Sequence, residues 1–322
     1  LRWNHLFSDK LFSNLSLIYS DYFYGLTLDF VGFEWDSGIT NYNLKYDFNH
    51  YLKDNFKLSY GINNIYTEFN PGNIIPNRVD SGILPKKLTD KYANEFAAYI
   101  EANHKINTNF TIKYGVRYSN FIRLGQDKLN TYADEMPVIY NQNLQKYESA
   151  IATGVSSFRR SDLLASFNNL EPRISFVYLL DNQTSIKGSY NRMAQYFHLL
   201  SNTASPTPLD IWAPSGSFIK PQLLDQFAVG YFKNIKEGLY SLETEVFYKD
   251  IQNRIDYING ANLVANNKIE TVILNGKARA YGLEALFRKN EGKLKGWIAY
   301  TLSRSEQLTA GRNENEPGIN NG

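Results

Sequence analysis

The sequence contains no cysteine, which excludes disulfide bridges, thiolate zinc sites and thiol nucleophiles. It also has no apolar run approaching the roughly 18 residues that a membrane-spanning helix needs. Neither sign of charge dominates: 34 basic and 32 acidic residues give a formal net charge of +2 and are spread along the chain. This even spread gives no sign of a basic patch or an acidic tail, so no nucleic-acid partner is expected.

Aromatic residues are abundant instead. There are 24 Tyr and 20 Phe, and aromatics reach 15% of the chain, yet the mean hydropathy is −0.41. Apolar residues must therefore be interspersed with polar ones, as in alternating β-strands. If the chain enters a bilayer, it must do so as a closed barrel, because in lipid every backbone N–H and C=O must be paired internally.

Alternation of apolar and polar residues predicts strands along most of the chain. In Phe110–Tyr118, for example, Phe, Ile, Tyr, Val and Tyr fall on one face, while Thr, Lys, Gly and Arg fall on the other. The chain has about twelve such runs, at 1–7, 11–24, 38–49, 55–66, 91–103, 109–122, 171–180, 184–197, 222–233, 239–251, 276–289 and 294–305. The fold class is therefore all-β.

The connections between these runs alternate between short polar turns and long segments. The long segments are rich in Asn, Pro, Gly and Ser and span roughly 25–37, 67–90, 123–170, 198–221 and 252–275. Outer-membrane barrels have short periplasmic turns and long extracellular loops. The pattern therefore favours an antiparallel up-and-down transmembrane β-barrel with its long loops outside the cell.

A soluble sandwich or propeller is the competing fold, because alternation alone does not exclude it. The charged faces argue against it, since a sandwich core could not hide so many charges but a wide lumen could.

Because successive side chains of a strand point to opposite sides, the alternating segments predict two opposite faces of the barrel wall. The residues expected to face lipid are Tyr42, Leu44, Tyr46, Phe48, Ile112, Tyr114, Val116, Leu242 and Val246. Those expected to face the lumen are Lys45, Lys113, Arg117, Glu243 and Glu245.

Residues 190–305 carry a resemblance to a known family. Its segments are Tyr190–Asn202, Pro206–Trp212, Ile219–Gln222, Glu243–Lys249, Asn253–Tyr257, Leu274–Gly276, Tyr281–Glu284 and Gly296–Ser303. They resemble successive barrel strands, and one intervening loop, of TonB-dependent receptors of the Bacteroidetes type. The resemblance implies a 22-stranded barrel around an N-terminal plug. On this interpretation residues 1–322 are a partial barrel domain, with the plug and the final strands outside it, and Asn313–Gly322 begin another extracellular loop.

The resemblance also implies a function and partners. It implies active uptake of a scarce nutrient, such as a siderophore, cofactor, glycan or peptide, across the bacterial outer membrane. Energy would come from the TonB–ExbB–ExbD complex through an N-terminal region outside this chain, and a surface lipoprotein is a possible accessory. No cofactor is expected. The alternatives are a passive outer-membrane porin and, less favoured, a barrel enzyme.

Candidates for catalytic or metal chemistry are few. The four histidines, His5, His50, His104 and His198, have no spacing that brings them together with carboxylates, so no catalytic or metal site is predicted. Aromatic residues in the long loops are better candidates, because stacking side chains on the extracellular rim can contact an arriving ligand. The predicted ligand contacts are Tyr140, Phe197, Trp212 and Phe218, with packing within the loops as the alternative.

Overall fold

The computed structural model of the chain describes residues 1–201, 207 and 209–312. Within them lie nineteen strands: β1 Arg2–Ser8, β2 Leu11–Leu28, β3 Phe33–Lys53, β4 Phe56–Pro76, β5 Lys86–Lys87, β6 Lys91–Lys105, β7 Phe110–Leu124, β8 Asp127–Thr131, β9 Val138–Asn141, β10 Lys146–Ser149, β11 Gly154–Phe158, β12 Leu163–Leu179, β13 Thr184–Gln195, β14 Phe197–Leu200, β15 Ile211–Pro214, β16 Gln222–Ile235, β17 Tyr240–Tyr257, β18 Ile273–Lys289 and β19 Gly296–Leu308. Two short 3-10 helices lie at Ala133–Glu135 and Ile269–Val272. No described helix is long and apolar enough to cross a membrane.

Twelve strands form one antiparallel sheet in which neighbours in sequence pair with each other. Its order is β1-β2-β3-β4-β6-β7-β12-β13-β16-β17-β18-β19, with β5 attached to β4, and β1 and β19 lie at its two edges. The all-β, up-and-down expectation is confirmed, and each of the twelve predicted runs overlaps one of these strands. The loop expected at Asn313–Gly322 and three of the residues that carry the resemblance, Asn202, Pro206 and Pro208, lie outside the described residues.

The predicted long loops are the main error of the sequence interpretation. β2 and β3 stay paired up to Leu28 and Phe33, so the expected loop 25–37 is only a tight connection. β12 begins at Leu163 instead of 171. The rest of segment 123–170 contains the antiparallel pair β8–β11 and, between these two strands in sequence, the hairpin β9–β10. Backbone hydrogen bonds continue the strands past the point where the apolar alternation stops, because pairing does not depend on side-chain polarity.

The register confirms the two predicted faces of the sheet. Directly opposed residues of paired strands share a face, and Val246 lies opposite Val229 and Leu283, whereas Glu245 lies opposite Gly230 and Glu284. Following the pairs across the sheet places all nine predicted lipid-facing residues on one face and all five predicted luminal residues on the other.

The two faces differ in chemistry as expected for a barrel wall. The outward face carries exposed apolar side chains and rows of aromatic contacts, including Tyr42 with Tyr19 and Tyr66. The luminal face carries ion pairs, such as Lys113 Nζ to Glu101 Oε1 at 2.9 Å. Aromatic girdles outside and polar groups inside are the pattern of outer-membrane barrels.

Candidate functional site

The long connections between strands pack into a layer over the extracellular end of the lumen. We call the described parts of segments 77–90, 125–162, 196–221 and 258–272 the loop layer. Its hydrophobic core joins three of these connections, 77–90, 196–221 and 258–272, to the strand ends beneath them through Trp35, Leu88, Leu200, Ile211, Ala213, Ile219, Ile255, Leu263, Ile269, Val272 and Ile273. Segment 125–162 is attached by hydrogen bonds, from Tyr132 Oη to Glu270 Oε1 at 2.7 Å and from Ser149 Oγ to the Thr271 backbone oxygen at 2.9 Å. The loop layer is therefore a folded structure with its own core.

The hairpin β14–β15 attaches the loop layer to the luminal wall. The Tyr196 side chain, just before β14, is 4% exposed and stacks on the buried Phe121 of β7. Its hydroxyl lies 2.7 Å from Ser119 Oγ and accepts a 2.8 Å hydrogen bond from Asn169 Nδ2. Phe197 meets the Phe69 ring edge-on, with centroids 5.1 Å apart. Aromatic stacking and a satisfied hydroxyl together fix the hairpin against the wall.

A buried serine–histidine pair lies within the same hairpin. His198 Nε2 is 2.9 Å from Ser215 Oγ, and its Nδ1 is 3.3 Å from Gln222 Nε2. Burial, with a smaller contribution from Arg254, lowers the pKa of His198 to about 4. No hydrogen bond joins a described carboxylate to the ring, and the His198 and Ser215 side chains are 2% and 0% exposed. Both side chains are closed off from solvent in this structure, and the pair packs inside the hairpin.

The four aromatic residues predicted from the sequence fall in three places. Phe197 and Trp212 come together at the cluster of Phe69 and Phe121, on the luminal side of the loop layer. Phe218 meets the Tyr132 ring edge-on at 5.6 Å. Tyr140 meets the Tyr147 ring at 5.0 Å in the outer β9–β10 hairpin. All four side chains are half-buried by loop packing, and ligand contact by them stays a prediction.

The sequence analysis missed a group of charged residues beneath the loop layer. Lys91 begins β6, Arg123 lies at the end of β7, and Glu270 belongs to the 3-10 helix before β18. Together they line one small cavity, which Phe218 also borders. These residues are up to 179 positions apart in the chain, so no local motif could have indicated the group. The described residues contain no cluster of three or more His, Cys, Asp or Glu that could hold a metal ion.

Comparison with known proteins identifies the family. A family model described as "TonB dependent receptor-like, beta-barrel" matches residues 1–321. The chain belongs to this family. It is thus part of an outer-membrane β-barrel of the TonB-dependent receptor family. A comparison with curated proteins finds no match.

Several solved structures share the fold of this TonB-dependent receptor barrel. The FrpB iron transporter from Neisseria meningitidis is 14% identical with a TM-score of 0.55, covering 94% of this chain and 42% of its own. The ferric yersiniabactin uptake receptor FyuA from Yersinia pestis is 14% identical with a TM-score of 0.57, covering 95% of this chain and 41% of its own. The copper transporter OprC is 11% identical with a TM-score of 0.58, covering 94% and 45%. The chain thus spans about two fifths of the length of these structures, and at this identity the likeness concerns the fold alone.

Proposed function

We propose that this chain forms part of an outer-membrane receptor that takes up a scarce nutrient by TonB-dependent active transport. Residues 1–322 would supply a partial barrel domain, and further strands and a plug would belong to the same protein. The family match and the iron and copper transporters among the structural neighbours support this proposal. The nutrient class is a siderophore, a metal complex, a cofactor, a glycan or a peptide.

In addition to the family match, one structural observation supports selective uptake: the loop layer is folded and anchored in the lumen. A passive porin conducts through an open aqueous channel. Here, in contrast, hairpin β14–β15 enters the luminal side and packs on Phe69 and Phe121. A packed layer with small recesses suits selective capture of a ligand, since pockets are concave and largely preformed. Phe218, one of the loop aromatics predicted to contact a ligand, borders such a recess.

The luminal wall suits a plug as its partner. Ion pairs such as Arg117 Nη2 to Glu95 Oε1 at 2.9 Å present alternating charges to the interior. A plug inside the lumen would meet these groups, and its N-terminal segment would contact TonB, which works with ExbB and ExbD. A surface lipoprotein remains a proposed accessory, and membership of the Bacteroidetes type rests on the resemblance of residues 190–305.

The test is uptake by the full-length receptor in a host with and without TonB. Cells would be supplied with radiolabelled iron as ferric chelates and with copper, because the structural neighbours include transporters of both metals. We expect uptake of one chelate above the level of receptor-free cells, and loss of that uptake in the TonB-deficient host. Uptake that is equal in both hosts would instead support the porin alternative.

A further inference from the structure

A cavity of about 60 Å³ lies between the luminal wall and the loop layer. Its wall includes two cationic side chains, Lys91 and Arg123, together with Gln126, Ser217, Phe218 and Glu270. The segments after β7, after β15 and before β18 all contribute, so the cavity exists only when the loop layer is folded. A cavity needs roughly 10–15 Å³ of such space to hold one water molecule, so the space suits a group of a few heavy atoms.

Arg123 is buried without an ion pair among the described residues. Its side chain is 4% exposed, and Nη1 donates to the backbone oxygens of Tyr92 at 2.7 Å and Leu124 at 2.9 Å. Nη2 donates to Gln126 Oε1. A guanidinium has five N–H donors, so two of them have no partner in the described part of the chain. Two N–H groups are what a bidentate contact to a carboxylate or phosphate requires.

Lys91 adds a second basic group to the same wall. Nothing among residues 1–201, 207 and 209–312 forms an ion pair with its ammonium group. The carboxylate of Glu270 lines the cavity, but its Oε1 already accepts hydrogen bonds from Tyr132 Oη at 2.7 Å and Asn130 Nδ2 at 3.3 Å. Two basic groups and one carboxylate line the cavity, so its wall has an excess of one basic group, which carries an unbalanced positive charge when Lys91 is protonated.

Buried charges are normally paired, because removal from water penalises an isolated ion heavily. A single oxyanion group in the cavity would pair with Lys91 and use the two remaining donors of Arg123. Ser217 and Phe218 would border it on the side of the loop layer. A monoanion balances the charge and a small planar group suits the volume, which favours a carboxylate over a phosphate.

We propose that this cavity binds a carboxylate group of the ligand that the receptor captures. That the carboxylate belongs to the captured ligand rests on the proposed function. The existence of an anion site in the cavity does not depend on it. Binding of the carboxylate would join β6, β7 and three loop segments through one charge-assisted contact. Arrival of the ligand would thereby stabilise the folded loop layer, because a ligand that binds only the folded form shifts the equilibrium towards it.

The experiment uses the full-length receptor in detergent with Phe218→Trp as a fluorescent reporter in the cavity wall. The probes are acetate, inorganic phosphate and acetamide, titrated at constant ionic strength. We expect acetate to change the indole emission in a saturable way and acetamide, which has the same shape without the charge, to leave it unchanged. Saturation by phosphate with no response to acetate would overturn the carboxylate assignment.

Two substitutions, one removing a positive and one removing a negative charge from the cavity wall, test whether these charges determine acetate binding. Lys91→Met should weaken acetate binding at least tenfold, whereas Glu270→Gln should strengthen it several-fold by removing the competing negative charge. Lys86→Met is the matched control, since it removes a cation from the exposed strand β5 and should leave the binding unchanged. Equal acetate affinity in the Lys91→Met variant and the wild type would refute the site.

The uptake assay separates this inference from the proposed function. Specific acetate binding without TonB-dependent uptake would refute the function and leave the anion site standing. TonB-dependent uptake without acetate binding would refute the anion site and leave the function standing. If both hold, Lys91→Met should also reduce uptake of the transported chelate, and Lys86→Met should not.

Discussion

The ring of Tyr196 lies parallel to the ring of Phe121, with centroids 4.7 Å apart and an interplanar angle of 3°. Phe121 belongs to the luminal face of β7, and Tyr196 precedes the hairpin that enters the lumen. Both side chains are almost fully buried. This stack is therefore one of the points where the loop layer and the barrel wall share a core, so the loops are held in place partly by the side chain of Phe121.

Phe121→Ala should release hairpin β14–β15 from the wall while the barrel stays folded. Truncating a buried Phe costs about 3–5 kcal/mol, and here the cost falls on the contact between the loop layer and the wall. The measurement is the rate of limited chymotrypsin cleavage in the loop layer of the full-length receptor, with heat-modifiable gel mobility to report the barrel. Tyr114→Ala, on the outward face of the same strand, is the control and should not change the cleavage rate. Unchanged protease resistance in the Phe121→Ala variant would contradict the anchoring role.

Val246→Arg should reduce the folding yield far more than Glu245→Arg. Val246 is 57% exposed on the lipid face, opposite Val229 and Leu283. A cation at the bilayer midplane on this face costs about 2–4 kcal/mol, whereas a luminal side chain stays hydrated. Heat-modifiable mobility of the full-length variants after folding into lipid gives the yields. Similar yields for the two variants would mean that the faces are assigned wrongly.

The barrel wall could be predicted from the sequence because its signal is local. A period of two along each strand decides which residues face outward, and Val246 and Glu245 were assigned to opposite faces on that basis alone. The ends of the strands could not be predicted in the same way. Leu28 and Phe33 pair through the backbone, and nothing in the side-chain pattern around residues 25–37 indicates how far that pairing continues.

The candidate site could not be predicted, because it is made by contacts between distant segments. Arg123 looks like an ordinary luminal cation until the segment that carries Glu270 folds over it, and Lys91 lies one strand away. The prediction for loop aromatics named residues that do lie in the loop layer, but it could not tell which of them bury each other. Phe197 packs on Phe69, while Phe218 lies beside the charged cavity.

Lowering the pH should loosen the hairpin that contains His198. In the packed state burial, assisted by Arg254, lowers the pKa of His198 from 6.5 to about 4, so the ring is neutral there. The released hairpin regains the ordinary pKa and binds a proton between about pH 6.5 and 4 that the packed state does not bind. The packed state therefore loses stability as the pH falls through this window, by up to about 3 kcal/mol, and is unaffected above it.

Hydrogen exchange of strands β14 and β15, residues 197–200 and 211–214, at pH 7 and pH 5, corrected for intrinsic rates, measures this effect. Protection should fall at pH 5 in the wild type. His198→Gln should show a much smaller change, since the substituted side chain does not titrate. The same loss of protection in both proteins would assign the pH dependence to other groups.

Gly72→Ala should disrupt the junction between β4 and the loop layer. A Cβ at Gly72 would lie 2.1 Å from two ring atoms of Trp35, far inside the contact distance of carbon atoms, and Gly72 has φ +154. Trp35 is 1% exposed and belongs to the core of the loop layer, so its ring cannot move without opening that core. Overpacking of this kind typically costs about 1–3 kcal/mol. Because Trp35 is one of four tryptophans in the chain and would become more exposed, the variant should show a red-shifted tryptophan emission relative to the wild type, and faster chymotrypsin cleavage in the loop layer. Gly296→Ala is the control, since a Cβ there meets no atom within 4 Å. An unshifted emission spectrum in Gly72→Ala would show that the loop layer tolerates the added methyl group, and that its core is looser than the contacts of Trp35 imply.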